Sequence, residues 1–161
     1  MKTKVAFFGL FTALALIFSY VESLFPIFLG VPGIKLGLAN LLILIVLYRW
    51  GTKEAYVLSF VRIMLAGFLF GNLFSILYSL SGALLSLTVM CLLKKTGKFS
   101  IIGISMAGGV FHNIGQLLMA GAVLQSFSVI YYLPILLISG MLTGILIGIL
   151  VQEILKRIYK V

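Results

Sequence analysis

The chain has 161 residues, 63% of them hydrophobic and only 9% charged, with a mean hydropathy of +1.29. A soluble domain of that size has no way to hide so much apolar surface, so the solvent of this chain is lipid. Basic residues outnumber acidic ones twelve to three, but they sit between apolar spans rather than along one face. That pattern marks membrane topology and argues against a nucleic-acid partner.

A bilayer core takes roughly 20 apolar residues per helix. On that measure the sequence predicts helices at about 5–21, 36–49, 53–70, 73–93, 100–121 and 132–154, one six-helix transmembrane domain over residues 1–161. The first stretch has no small-x-small cleavage site beyond its apolar run, because Ala13-Leu14-Ala15 lies inside it. It is therefore expected to remain as an uncleaved first helix. Between the first and second helices, FPIFLGVPGIK is apolar but broken by Pro26, Gly30, Pro32 and Gly33. A re-entrant or capping segment packed against the bundle is expected there. The second and third helices are short, which calls for tilt or for shielding by neighbours.

Lys2, Lys4, Arg49, Lys53, Lys94, Lys95, Lys98, Lys156, Arg157 and Lys160 all fall on one side of this arrangement. Only Lys35 falls on the other, and Arg62 lies within a span. Lys and Arg mark the cytoplasmic side, so both termini are expected inside, in a multi-pass protein of the cell membrane.

Small residues recur at four-residue spacing in Gly140-x-x-x-Gly144-x-x-x-Gly148, Gly82-x-x-x-Ser86 and Gly9-x-x-x-Ala13. Such stripes let helix backbones approach closely in lipid. The first two read as packing within the chain. Gly9 and Ala13 are the candidates for docking a partner, since the first helix otherwise offers only a Phe/Leu surface. The single Cys91 lies inside a span, leaving no disulfide framework and no CxxC or CxxCH motif.

Polar side chains gather in the outer half. Arg62 stands about 13 Å beyond Lys53 at the helical rise, near the midplane. His112, the only histidine, lies in GGVFHNIGQLL with Asn113 and Gln116. Gly109, His112 and Gln116 share one helical stripe, with Asn113 beside it. Glu22, Lys35, Asn40, Asn72, Tyr131 and Tyr132 lie at the outer ends of their helices. Each has a plain structural use: hydrogen bonds between helices, rim ion pairs such as Glu22 with Lys35, or an aromatic belt. Together they predict an outward-opening pocket walled by helices three, five and six and lidded by the Pro/Gly segment. A small or amphipathic ligand is expected; Arg62, Lys35 and His112 favour anionic or acceptor character in it, and the tyrosines favour a ring. No cofactor or metal motif is present, and no G-x-x-x-x-G-K-[ST] nucleotide loop.

SYVESLFPIFLGVPGIKLGLANL (19–41), the R-x-x-x-A-G-x-L-F-G-N run (62–72), SLSGALLSL (79–87), HNIGQL (112–117) and YYLPILLISG (131–140) resemble, in order, the Gx transporter family. That family is also described as heptaprenyl diphosphate synthase component I. The resemblance implies a relative of the substrate-binding S components of energy-coupling factor (ECF) transporters. These bind a micronutrient in their outer half, dock through small residues of the first helix on a transmembrane coupling subunit, and are driven by paired ATPases. Gly9 and Ala13 match that docking pattern with a glycine in the first place.

The synthase name is tested by composition. Chain-elongating prenyl synthases resemble one another in aspartate-rich motifs that hold magnesium, and this chain has no aspartate. It is expected not to be an enzyme itself. The alternative reading is a membrane subunit linked to quinone or prenyl diphosphate metabolism, or to flavin-based extracellular electron transfer. One histidine without CxxCH disfavours haem. Ser81-Gly82-Ala83-Leu84 lacks the threonine that a covalent flavin site of the S-G-A-T type would need.

Overall fold

The computed structural model describes residues 2–24 and 37–159. Six helices run in order: α1 (Lys2–Leu24), α2 (Leu38–Arg49), α3 (Thr52–Phe70), α4 (Leu73–Thr96), α5 (Ile101–Leu124) and α6 (Leu133–Tyr159), the last preceded by a 3-10 turn (Phe127–Tyr132). No strand occurs among the described residues. Val5–Leu24, Leu73–Thr96, Ile101–Leu124 and Ser128–Ile158 are long and apolar enough to cross a bilayer. The chain is therefore a multi-pass membrane protein. The Pro/Gly segment lies outside the described residues, as do Lys35 and Lys160.

The short α2 is the hub. Leu41, Leu42, Ile43, Leu44, Ile45, Val46 and Leu47 are all buried in succession, so no face of the helix meets the surroundings. A helix apolar all round is stable only inside the protein. Here α1, α3 and α6 supply the walls. Shielding, rather than tilt alone, explains how twelve residues serve where a lipid-exposed helix needs more. The peripheral α1 is the opposite case: Val5, Phe7, Leu10, Ile17 and Leu24 are all exposed along it.

Local chemistry fixes the helix ends. Asn72 closes a capping box with Ser75 at the start of α4, and Ser100 accepts from the Gly103 N–H at the start of α5. Gly97 ends α4 at φ +67°, a conformation that glycine adopts at no steric cost.

From α2 onward, short connections make consecutive helices run in opposite directions. The C-termini of α2, α4 and α6 therefore share one end with the N-termini of α3 and α5, and Arg49, Lys53, Lys94, Lys95, Lys98, Lys156 and Arg157 collect there. Contacts tie that end together: Phe11 meets the Trp50 ring edge-on at 5.1 Å, and Lys94 donates to the Leu47 carbonyl and lies over the Tyr48 ring. At the opposite end Tyr20 packs on Phe70 at 5.5 Å, and the Leu38 N–H donates to Glu22 Oε1 at 2.9 Å.

Packing is tightest in the layer α4–α5–α6. A Cβ on Gly109 would fall 2.2 Å from the Gly140 carbonyl oxygen, and one on Gly144 would fall 2.7 Å from Met106 Cα. The glycine stripe of α6 thus seats α6 on α5, as its spacing predicts. Gly82 does the same for α4, where a Cβ would meet the His112 carbonyl at 2.9 Å. Serines bond across the layer, Ser81 Oγ to the Gly115 carbonyl at 2.7 Å and Ser86 Oγ to the Gly108 carbonyl at 2.8 Å.

Candidate functional site

At the end away from the basic cluster the bundle opens into a cavity of about 190 Å³. Its charged and amide walls are Glu22, Asn40, Arg62, His112, Asn113 and Gln116, joined by the hydroxyls of Ser19, Ser23, Ser75, Ser79 and Thr143. Every helix contributes. The expected walls were α3, α5 and α6, but α6 gives only Thr143, while α1, α2 and α4 supply much of the lining. The reason lies in the glycine seam, which draws α6 so close to α5 that little space remains between them.

Arg62 reaches from α3 towards α1. Its Nη1 donates to Ser19 Oγ at 3.2 Å, while its Nε is buried without a hydrogen-bond partner among the described residues. Glu22 lies near enough for a Coulombic attraction to Arg62, yet the two do not close an ion pair. Glu22 instead caps α2 through the Leu38 N–H, where a carboxylate also suits the positive end of the helix dipole.

The α5 stripe is intact: Gly109, His112, Asn113 and Gln116 all line the cavity. Gln116 is only 3% exposed. Asn113 also serves as the interhelical bond foreseen for it, its Nδ2 donating to the Leu136 carbonyl at 2.6 Å. The bare face of Gly82 leaves room for two of these side chains, since a Cβ there would meet Gln116 Cγ at 2.8 Å and His112 Cε1 at 3.0 Å.

Three expected positions sit elsewhere. Asn72 is at the rim but its side chain is engaged as the α4 cap, accepting from the Ser75 N–H at 2.8 Å. Tyr131 is 84% exposed and Tyr132 is exposed beside it, both in the 3-10 turn and neither lining the cavity. The turn carries them out along α5, so they suit a membrane interface rather than a ring-stacking wall. Lys35 lies outside the described residues.

Ser19, Ser23, Ser75 and Ser79 were missed as wall residues. Their spacing held the signal: Ser19, Glu22 and Ser23 stand at i, i+3, i+4, and Ser75 and Ser79 at i, i+4, polar stripes within apolar helices. On the outer face of α1, Gly9 and Ala13 are exposed, and a Cβ on Gly9 would meet nothing within 4 Å. That stripe is left uncovered by the described chain at Gly9 and exposed at Ala13.

Residues 11–154 match the family model described as heptaprenyl diphosphate synthase component I. The chain belongs to this family. Searches of curated proteins and of solved structures gave no match. The match covers every wall residue of the cavity, from Ser19 to Thr143, the whole of α2 to α5 and most of α1 and α6.

Proposed function

We propose that this member of the family is a substrate-binding membrane subunit, similar to the S components of ECF transporters, which captures a small ligand from the outer face of the cell membrane for uptake. The observation that carries the reading is the polar cavity of about 190 Å³ opening at the end opposite the basic cluster. A polar, partly charged chamber inside an apolar bundle is expensive to maintain and marks a ligand or ion site. With the basic end cytoplasmic, both termini lie inside, all six helices cross or enter the bilayer, and the cavity faces out. The protein acts by binding, and energy for uptake comes from a coupling subunit with its ATPases. The bare stripe at Gly9 and Ala13 is the face offered to that partner.

Arg62→Ala and His112→Ala should each abolish retention of the co-purifying ligand while the protein still extracts as a folded monodisperse species. Native mass spectrometry of protein gently released from its own host membrane reads both outcomes. Variants that keep the ligand and merely melt earlier would assign the two side chains to structure alone.

The family description favours a second reading, a component working beside a prenyl diphosphate synthase or another quinone-linked complex. An apolar groove of about 600 Å³ between the end of α5 and the 3-10 turn, lined by Leu117, Leu118, Val129, Ile130 and Leu133 among others, has the chemistry for an isoprenoid chain. A prenyl or quinone adduct, or a synthase or flavoprotein partner in place of ATPases, would favour this second reading.

A further inference from the structure

The cavity holds two full charges among its described residues, Arg62 and Glu22, of opposite sign. They attract each other but do not close an ion pair. Each keeps hydrogen-bonding capacity. Arg62 Nε is buried with no hydrogen-bond partner among the described residues, and Glu22 uses Oε1 for the Leu38 N–H, leaving Oε2 as an acceptor.

The described wall offers one charge of each sign. A ligand carrying both signs gives each wall charge a partner at hydrogen-bonding range, where charge-assisted bonds are strongest.

Size restricts it further. At about 30 Å³ per water, the chamber has the room of about six waters, and it lies below the about 300 Å³ at which sites for drug-sized molecules begin. The space between the described walls suits a compact ligand.

We infer that the cavity takes a compact zwitterion of amino-acid chemistry, its carboxylate received by Arg62 and its ammonium by Glu22, with the amides of Asn40 and Gln116 as further polar contacts. This inference rests on the ligand-binding reading above and narrows its substrate class. It adds a cationic group, received by Glu22, to the anionic or acceptor character expected from Arg62, Lys35 and His112.

The test is the melting temperature of the full chain in lipid nanodiscs, measured with each proteinogenic amino acid, its N-acetyl form and its methyl ester. The first derivative removes the ammonium charge, and the second removes the carboxylate. At least one amino acid should raise the melting temperature while neither of its derivatives does. Glu22→Gln, which keeps an acceptor for the Leu38 N–H and so preserves the α2 cap, should weaken that amino acid by about thirtyfold or more, as should Arg62→Gln. An N-acetyl or ester form that stabilises as well as its parent overturns the zwitterion and leaves a small-ligand site. So does a panel in which no amino acid shifts the melting point. In that second case native mass spectrometry separates the two failures: an adduct lost in His112→Ala keeps the binding reading, and its absence in the parent protein removes that too.

Discussion

Arg62 makes one described hydrogen bond, to Ser19, and a guanidinium inside a bilayer with so few partners is held by the protein around it. In a packed core such a group is normally given a carboxylate or is avoided. Here the carboxylate is present but turned to the α2 N-terminus, so the two charges bracket a space instead of filling it. Asn72 shows a contrasting use of a polar residue at the same end. Its side chain and that of Ser75 satisfy each other's backbone N–H groups, a reciprocal cap that occupies the Asn72 carbonyl oxygen. Asn72→Ala should therefore cost about 1 kcal/mol of stability and leave ligand retention unchanged. Chemical denaturation in mild detergent, followed by mass spectrometry of the folded fraction, reads both. Retention lost at full stability would return Asn72 to the binding wall. Residue type and depth together made Arg62, His112, Asn113 and Gln116 legible as one site, because polar groups at helical spacing in an apolar segment must turn towards a shared polar space. Asn72 and the two tyrosines shared the depth but not the direction. Which way a side chain points at a helix end depends on the cap and turn geometry, and spacing alone does not carry that.

Among the elements, the three small-residue stripes behave differently for a reason the backbone supplies. Gly109 and Gly140 face each other so closely that Gly109→Ala places a methyl against the Gly140 carbonyl, which is backbone and has no rotamer to escape into. That substitution should cost about 1–3 kcal/mol and, because His112 and Asn113 ride on the same helix, weaken ligand binding along with stability. Gly9→Ala meets open space and should be neutral or gain up to about 1 kcal/mol from helix propensity. Gly9→Leu then isolates the docking question: the protein alone should melt as the parent does, while co-purification of a coupling subunit should fall sharply. An unchanged yield of complex would move the partner interface to another face. The stripes of α4 and α6 were readable as close-approach surfaces from the sequence. Their partners were not, since a small-x-x-x-small pattern names one side of an interface and leaves the other to the topology. The buried α2 is the complementary lesson. Its unbroken apolar run fitted a short span or a core helix equally well, and only the packing of α1, α3 and α6 around it decides for the core.

For the whole molecule, the segregation of charge and cavity to opposite ends makes orientation the property on which the functional reading depends. The basic residues at the ends of α2 to α6 lie together in space as well as in pattern, and positive charge flanking spans is retained on the cytoplasmic side. Six helices follow from hydropathy, but the sidedness is a statement about the cell, and labelling measures it. In a Cys91→Ala background, which removes the buried native thiol, Tyr131→Cys at the exposed 3-10 turn should react with a membrane-impermeant maleimide on intact cells. Lys98→Cys, at the turn between α4 and α5, should react only after the membrane is opened. That pattern places the cavity mouth where an external solute reaches it. The reverse pattern would turn the chamber towards the cytoplasm and end the uptake proposal, leaving a cytoplasm-facing membrane component beside a soluble synthase as the arrangement that the family description and the apolar groove both accommodate. Labelling of both positions on intact cells would mean that the bundle does not seal the bilayer as six spans require, which removes the topological basis of the proposal even if the chamber itself binds a ligand.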